Sequence, residues 1–357
     1  GCSRGVQYAV TAFFALDPVW GAFIQTQVKD TLYTGLFVLF VLKTADLLLF
    51  PQKWQGSRPR LTAYAVLGVL CCLLRKNGIY AVVPMLLASA FTVSEKRLRR
   101  PVLAVLLAVC IGSFGFDTFT EKVLDIPAGS VGEALSVPMQ QTARYIRDYG
   151  NEVTDDERTA IEKVLDYDAI AQSYMPELSD GVKQYYKNPG KGDLARYMLV
   201  WAKMLLKHPV CYFEATHANS HGYYTITKCR AINDYYTFNN DICMEMSEMN
   251  VHYLDKSGYL RYAFVQALSA FEKLPLVGLT TSIGFMAWLT AVLGLWLARC
   301  KAKPVLPVFI GLGIFWLTCI ASPVNDCMRY FLPVAGCLPL VFCLAAVFSR
   351  EKSEITV

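Results

Sequence analysis

LPLVGLTTSIGFMAWLTAVLGLWLA, residues 274–298, runs 25 positions without a charge. A helix rises about 1.5 Å per residue and the hydrocarbon of a bilayer is about 30 Å thick, so some 20 apolar residues suffice to cross. Two further runs share the property: residues 304–325, with 22 uncharged positions, and 330–349, with 20. Working outward, Pro101–Phe116 is nearly as long and is expected to continue to Phe119, and Thr31–Phe50 also fits. The second of these carries Lys43 and Asp46, three apart, which are expected to pair on one helix face while Lys43 snorkels. Core helices of large soluble proteins rarely run so far without a charge. The fold class expected is therefore all-α, a polytopic transmembrane helix bundle of about eight spans carrying a helical extracytoplasmic domain.

Composition agrees. Of 357 residues 54% are hydrophobic and 18% charged, against about 25% charged in an average soluble domain. The net charge of +5 averages two different regions. Residues 121–258 carry 14 Lys and Arg against 20 Asp and Glu, and all four histidines lie there. The remainder carries 20 against 9. No nucleic-acid partner is implied. Three sections follow: transmembrane helices over 1–119, a helical outer domain over 120–273 ending in an interfacial helix, and transmembrane helices with a cytoplasmic tail over 274–357.

Basic clusters set the orientation. Lys53, Arg58 and Arg60 form one; Lys96, Arg97, Arg99 and Arg100 another; Arg299, Lys301 and Lys303 a third; Arg350 and Lys352 the last. They occupy alternate loops, as cytoplasmic loops do under the positive-inside rule. Both ends of the chain are thus expected inside the cytoplasmic membrane and the acidic region outside. The first apolar stretch, Gly5–Leu16, is too short to cross, so either it continues through Pro18 as a kinked helix or the natural protein begins earlier.

The acidic region reads as helices. Residues 138–149 have an apolar face at Met139, Ala143, Tyr145 and Ile146. Thr154 and Glu157 form a capping box opening the next helix. Asp193 is expected to cap a longer one that ends at His208-Pro209. The stretch 208–224 makes another, and 258–275 is an amphipathic helix suited to the membrane interface. Cys229 and Cys243 could form a disulfide.

Charges near lipid are costly and invite a functional reading. Four sites carry them. At Lys29-Asp30, Asp30 or Thr31 caps the following span, or Asp30 stands at the rim of a cavity with Lys29 beside it. In RKNG, residues 75–78, Arg75 follows Arg60 by too few residues for a full crossing, so either Arg75 is held below the outer surface or the helix ends there in a polar pocket; it snorkels at a helix hairpin tip, or at that depth it needs an anion, a carboxylate or a lipid phosphate. In PVNDCMRY, residues 323–330, Asp326 and Arg329 pair, or Arg329 serves a phosphate head group. Glu214, His217 and His221 share a helix face, but without a following Glu the HExxH pattern is absent and no metal site is assigned. The sequence has no GxxxxGK[ST], GxGxxG or GxSxG motif, and neither ATP-driven transport nor serine-hydrolase chemistry finds support. No cofactor is expected.

The succession of Asp17-Pro18, the Lys29-Asp30 pair, the R-x-N-G turn, a large outer loop with Trp201 and His208-Pro209, and a late R-Y-x-x-P at Arg329, Tyr330 and Pro333 resembles bacterial membrane proteins of the GT-C glycosyltransferase superfamily. The closest likeness is to an uncharacterised bacterial branch with the same QTARY (Gln141–Tyr145) and NE-x-T (Asn151–Thr154) stretches. The resemblance implies transfer of a sugar from a polyprenyl-phosphate donor to a cell-envelope glycan, lipid or protein acceptor, within membrane lipid. It also implies an essential acidic residue in a first outer loop that would precede residue 1. On this reading Asp30 is the catalytic candidate, Lys29, Arg75 and Arg329 bind the donor phosphate, and Gln140, Gln141 and Arg144 bind the acceptor. A transporter or lipid flippase, or a non-catalytic envelope assembly or sensor protein, are the rival readings.

Overall fold

The computed structural model describes residues 3–26, 28–126, 129, 131–226, 257–300 and 302–355. Among these residues the secondary structure is helical, with isolated bridges and no strand. Two compact units form. The first gathers residues 1–110, 224–315 and 328–357; the second gathers 111–223 and 316–327.

In the first unit, α1 (Arg4–Leu16) and α2 (Pro18–Gln25) are separate helices. Asp17 divides them: its backbone is extended, its carboxylate accepts from the Val19 N–H at 3.0 Å, and Pro18 opens α2. Proline suits a first helical position because its missing N–H would lack an intrahelical partner anyway. Then come α3 (Lys29–Leu49), α4 (Arg58–Leu74), α5 (Ile79–Thr92) and α6 (Lys96–Lys122). Of α6, residues beyond Cys110 fall in the second unit.

Among the described residues, four helical segments are long and apolar enough to cross a membrane: Lys29–Leu49, Lys96–Lys122, Lys303–Ile320 and Met328–Phe348. Each overlaps one of the apolar runs read from the sequence. The 25-residue run at 274–298 yields a shorter helix, Ile283–Arg299. Leu276 takes φ +65°, a short 3-10 turn fills Gly278–Thr281, and the Ser282 hydroxyl then caps the helix by accepting from Phe285 N–H. Apolarity had concealed a turn and a cap.

The Lys43–Asp46 pair does not form. Asp46 instead accepts from the Trp54 indole at 3.0 Å and lies 3.8 Å from Arg60, while Lys43 is on an exposed face. The carboxylate thus joins α3 to the start of α4, where Tyr64 also meets Thr44 at 2.6 Å.

The second unit contains α7 (Ser136–Tyr149), α8 (Asp155–Glu162), α9 (Tyr167–Gln172), α10 (Asp180–Lys183), α11 (Lys191–Lys207) and α12 (Pro209–Ser220). Met139, Tyr145, Ile161, Leu165, Tyr197 and Tyr212 are central to its core. The capping box at Thr154 and Glu157 is present. Asp193 lies inside the first turn of α11, where it pairs with Lys163 at 3.2 Å; Gly190 holds the cap position. Residues 316–327 belong to this unit because they are bonded into it. Ser179 N–H donates to Pro323 O at 2.8 Å, Asn325 N–H to Glu177 O at 2.9 Å, and Gly222 N–H to the Asn325 side chain at 2.9 Å.

Among the described residues the first unit also contains α13 (Tyr259–Glu272), α14 (Ile283–Arg299), most of α15 (Leu306–Ile320) and α16 (Met328–Ile355). α3 and α16 pack closely where Gly336 sits: a β-carbon there would lie 2.9 Å from Val38. The proposed Cys229–Cys243 pairing and His252 lie outside the described residues.

Candidate functional site

The three charged residues singled out along the first unit come together. Asp30 stands in the first turn of α3, buried, with no side-chain cap: Val28 holds the cap position. Its carboxylate turns away from its own helix. Oδ1 accepts from Arg75 at 3.1 Å, and Oδ2 lies 3.7 Å from the guanidinium of Arg329. Arg75 ends α4 in extended conformation, and Arg329 begins α16. One carboxylate therefore joins two cations drawn from opposite ends of the sequence.

Aromatic rings hold the guanidinium groups. Arg75 lies over Tyr330 at 4.9 Å and over Tyr33 and Phe315 at 5.8 Å each; Arg329 lies over Tyr330 at 5.1 Å. A cation this close to a ring face is attracted by its quadrupole, more strongly where water is scarce. The side chains of Arg75 and Asp30 are 13% and 10% exposed, so their pairing is screened far less than a surface pair. The R-x-N-G turn follows from sterics. A β-carbon at Gly78 would lie 2.7 Å from the Cys71 carbonyl and 3.0 Å from the Tyr33 hydroxyl, so glycine lets the turn close against both.

These residues line a cavity of about 400 Å³ with Val28, Lys29, Lys76 and Asn77. Four cationic side chains and one carboxylate thus face one space. Such a lining attracts an anion, and guanidinium forks match the geometry of phosphate.

The profile of a family of unknown function, DUF6020, matches residues 2–356. The chain belongs to the DUF6020 family. No curated protein and no solved structure matches it.

In this DUF6020 chain, Gln140, Gln141 and Arg144 belong to the second unit. Gln140 and Gln141 are buried, and their amides are engaged within the fold. Gln140 donates to Met175 O; Gln141 donates to Thr216 Oγ1 at 2.8 Å and accepts from the Trp201 indole at 2.9 Å. Arg144 bonds Asp148 at 3.1 Å and also Glu214. Asp148 is held below its ordinary carboxylate range, first by the hydrogen bond from Arg147 and then by Arg144.

Glu214 is thereby drawn to Arg144, and among the described residues no three His, Cys, Asp or Glu side chains are grouped to hold a metal. His221 Nδ1 meets the Asn325 amide at 3.1 Å, with Glu177 3.7 Å from Nε2. Sequence reasoning held Lys76 and Asn77 within RKNG without giving them a role, and missed the ring walls Tyr33 and Phe315. Tyr33 carried a usable signal: it follows Asp30 by three positions, so both fall on one helix face.

Proposed function

We propose that the chain is an integral membrane glycosyltransferase of GT-C type. It moves a sugar from a polyprenyl-phosphate donor to an envelope acceptor on the outer side of the cytoplasmic membrane. Arg75, Arg329 and Lys29 bind the donor phosphate. The observation that carries this reading is the Asp30-centred arginine pair in a cation-lined cavity, with Asp30 and Arg329 on helices long and apolar enough to cross a membrane. About eight crossings, cytoplasmic ends and an outward second unit belong to the same proposal. The basic clusters on alternate loops support them.

The chemistry follows from charge. An acceptor hydroxyl oxygen bonds to the sugar anomeric carbon as the bond from that carbon to the phosphate oxygen breaks. Polyprenyl phosphate leaves with the electron pair, and the hydroxyl proton passes to a carboxylate. Guanidinium and ammonium groups stabilise the charge gathering on the departing phosphate. Asp30 has the looser contact on Oδ2, the 3.7 Å approach of Arg329. Donor phosphate that draws Arg329 to itself frees this oxygen to take the proton. Gln140, Gln141 and Arg144 are the proposed acceptor contacts in the second unit.

The test is release of free polyprenyl phosphate from labelled polyprenyl-phosphate sugars by the protein in proteoliposomes. Turnover is expected, with Arg75→Ala lowering it about 100-fold, the scale of removing one charge-stabilising donor. Failure to turn over a broad donor panel, with substrate flux across the liposome instead, assigns the site to a transporter or flippase.

A further inference from the structure

Helix α11 of the second unit is apolar on two sides, and one of them faces away from the core. At about 100° per residue, Tyr197, Val200 and Met204 share one side, and all three are buried. Ala195, Leu199, Ala202 and Leu206 fall on the opposite side, within an arc of about 60°. Leu206 is 83% exposed and Leu199 66%. The chain bends at His208, and α12 then adds Val210 and Phe213, 66% and 73% exposed. A single exposed leucine is ordinary, whereas a run of large apolar side chains left in water marks an interaction surface.

A basic row borders the exposed leucines. Arg196, Lys203 and Lys207 occupy the next arc of α11, about 40° wide, between Leu199 and the core side. Lys207 is held by Glu157 at 2.8 Å, but Arg196 and Lys203 stand exposed. Asp193, the one acid of α11, lies on the core side and pairs with Lys163. Glu214, beside Phe213, is engaged by Arg144. The unit as a whole has 11 Lys and Arg against 17 Asp and Glu, so it repels an anionic surface that this face attracts. Two segments long and apolar enough to cross a membrane, Lys96–Lys122 and Lys303–Ile320, also run into the unit. They tether it to any bilayer they cross, and a tethered surface binds at high effective concentration.

We propose that the exposed face of α11, with Val210 and Phe213, rests on an anionic phospholipid surface. The apolar row enters the boundary between headgroups and acyl chains, about 5–10 Å deep. Arg196 and Lys203 lay their stems along that row and carry their charges to headgroup phosphates. From Ala195 to Leu206 the row is about 16 Å long, so the helix lies along the surface. This docking requires a bilayer and no sugar transfer, so it stands or falls apart from the Arg75 site.

The test uses the full chain in nanodiscs of phosphatidylcholine, with and without phosphatidylglycerol, and a photoactivatable benzophenone analogue of phenylalanine in place of Phe213. Irradiation should attach lipid at that position. Phosphatidylglycerol should raise the ratio of lipid-linked to unlinked chain about fivefold for each cation engaged, and added salt should lower it. Arg196→Gln combined with Lys203→Gln should return the ratio to its phosphatidylcholine value, with the unfolding midpoint unchanged because both side chains are exposed. The same analogue in place of Asp168, an exposed acid of α9, should give little lipid adduct. Equal lipid yields from positions 213 and 168 overturn the proposal, as does a yield at 213 that ignores phosphatidylglycerol and salt. Adducts at 213 to a second copy of the chain in place of lipid overturn it too, and assign the face to self-association.

Discussion

Arg75 donates to Asp30 across 45 residues of sequence, at 3.1 Å. The bond closes α3 against the end of α4, and Arg329 brings the start of α16 to the same carboxylate. Exposed ion pairs contribute about 0–1 kcal/mol, whereas breaking a buried one costs about 3–5 kcal/mol. The Asp30–Arg75 pair is mostly buried but keeps a second cation nearby. Arg75→Ala should therefore destabilise the protein by about 2 kcal/mol, because Arg329 remains to neutralise Asp30. Asp30→Asn should cost more, leaving two guanidinium groups facing each other. A double-mutant cycle read by denaturation midpoints should give a coupling of at least about 1 kcal/mol. Additive single effects would reduce the pair to a coincidence of side-chain placement.

Gln141 accepts from the Trp201 indole and donates to Thr216 in the core of the second unit. Gln141→Leu leaves the indole N–H without its acceptor, at a cost of about 1–3 kcal/mol. Combining it with Trp201→Phe removes the stranded donor and should recover part of that loss. The comparison also bears on acceptor binding. If Gln141→Leu lowers sugar transfer while thermal stability is unchanged, the amide serves the substrate rather than the fold.

How far these features were legible depends on their range. The capping box at Thr154 is local chemistry, and four consecutive residues contain it. Arg75 announced its need for an anion through its short distance from Arg60 along the chain. Which anion met it was not legible, because Asp30 lies on another helix and reads locally as a cap. Asp46 misled for a related reason: Lys43 was the partner within helical reach, but the Trp54 indole and Arg60 arrive from beyond the next turn. Residues 316–327 read as the end of a span and a loop. Their hydrogen bonds to Ser179, Glu177 and Gly222 join distant parts of the sequence and leave no periodic trace.

Acid should loosen the second unit. Asp148 is held below its ordinary range chiefly by the Arg147 hydrogen bond, and Glu162 chiefly by that from Lys187. Groups with lowered native values contribute stability that is present above the ordinary unfolded carboxylate range, about pH 4. It is lost as pH falls through the lower native values. Hydrogen exchange on the full chain should show peptides of α7 and α8 losing protection below about pH 4. Asp148→Asn should flatten this response around α7, and an unaltered profile in that variant would remove Asp148 from the account.

The Thr154 hydroxyl accepts from Glu157 N–H at 3.3 Å, and the Glu157 carboxylate accepts from Thr154 N–H at 3.0 Å. Glu157 also binds Lys207, at 2.8 Å, so the cap ties α8 to the end of α11. Thr154→Ala deletes the hydroxyl and should cost about 1 kcal/mol, the usual value for an N-cap. Thr154→Ser keeps the acceptor and should restore nearly all of it. The loss should be concentrated in hydrogen exchange of Asp155–Glu162, because a cap acts on the free N–H groups of the first turn. Equal protection in the alanine and serine variants would mean that the Glu157–Lys207 pair holds α8 without help from the cap.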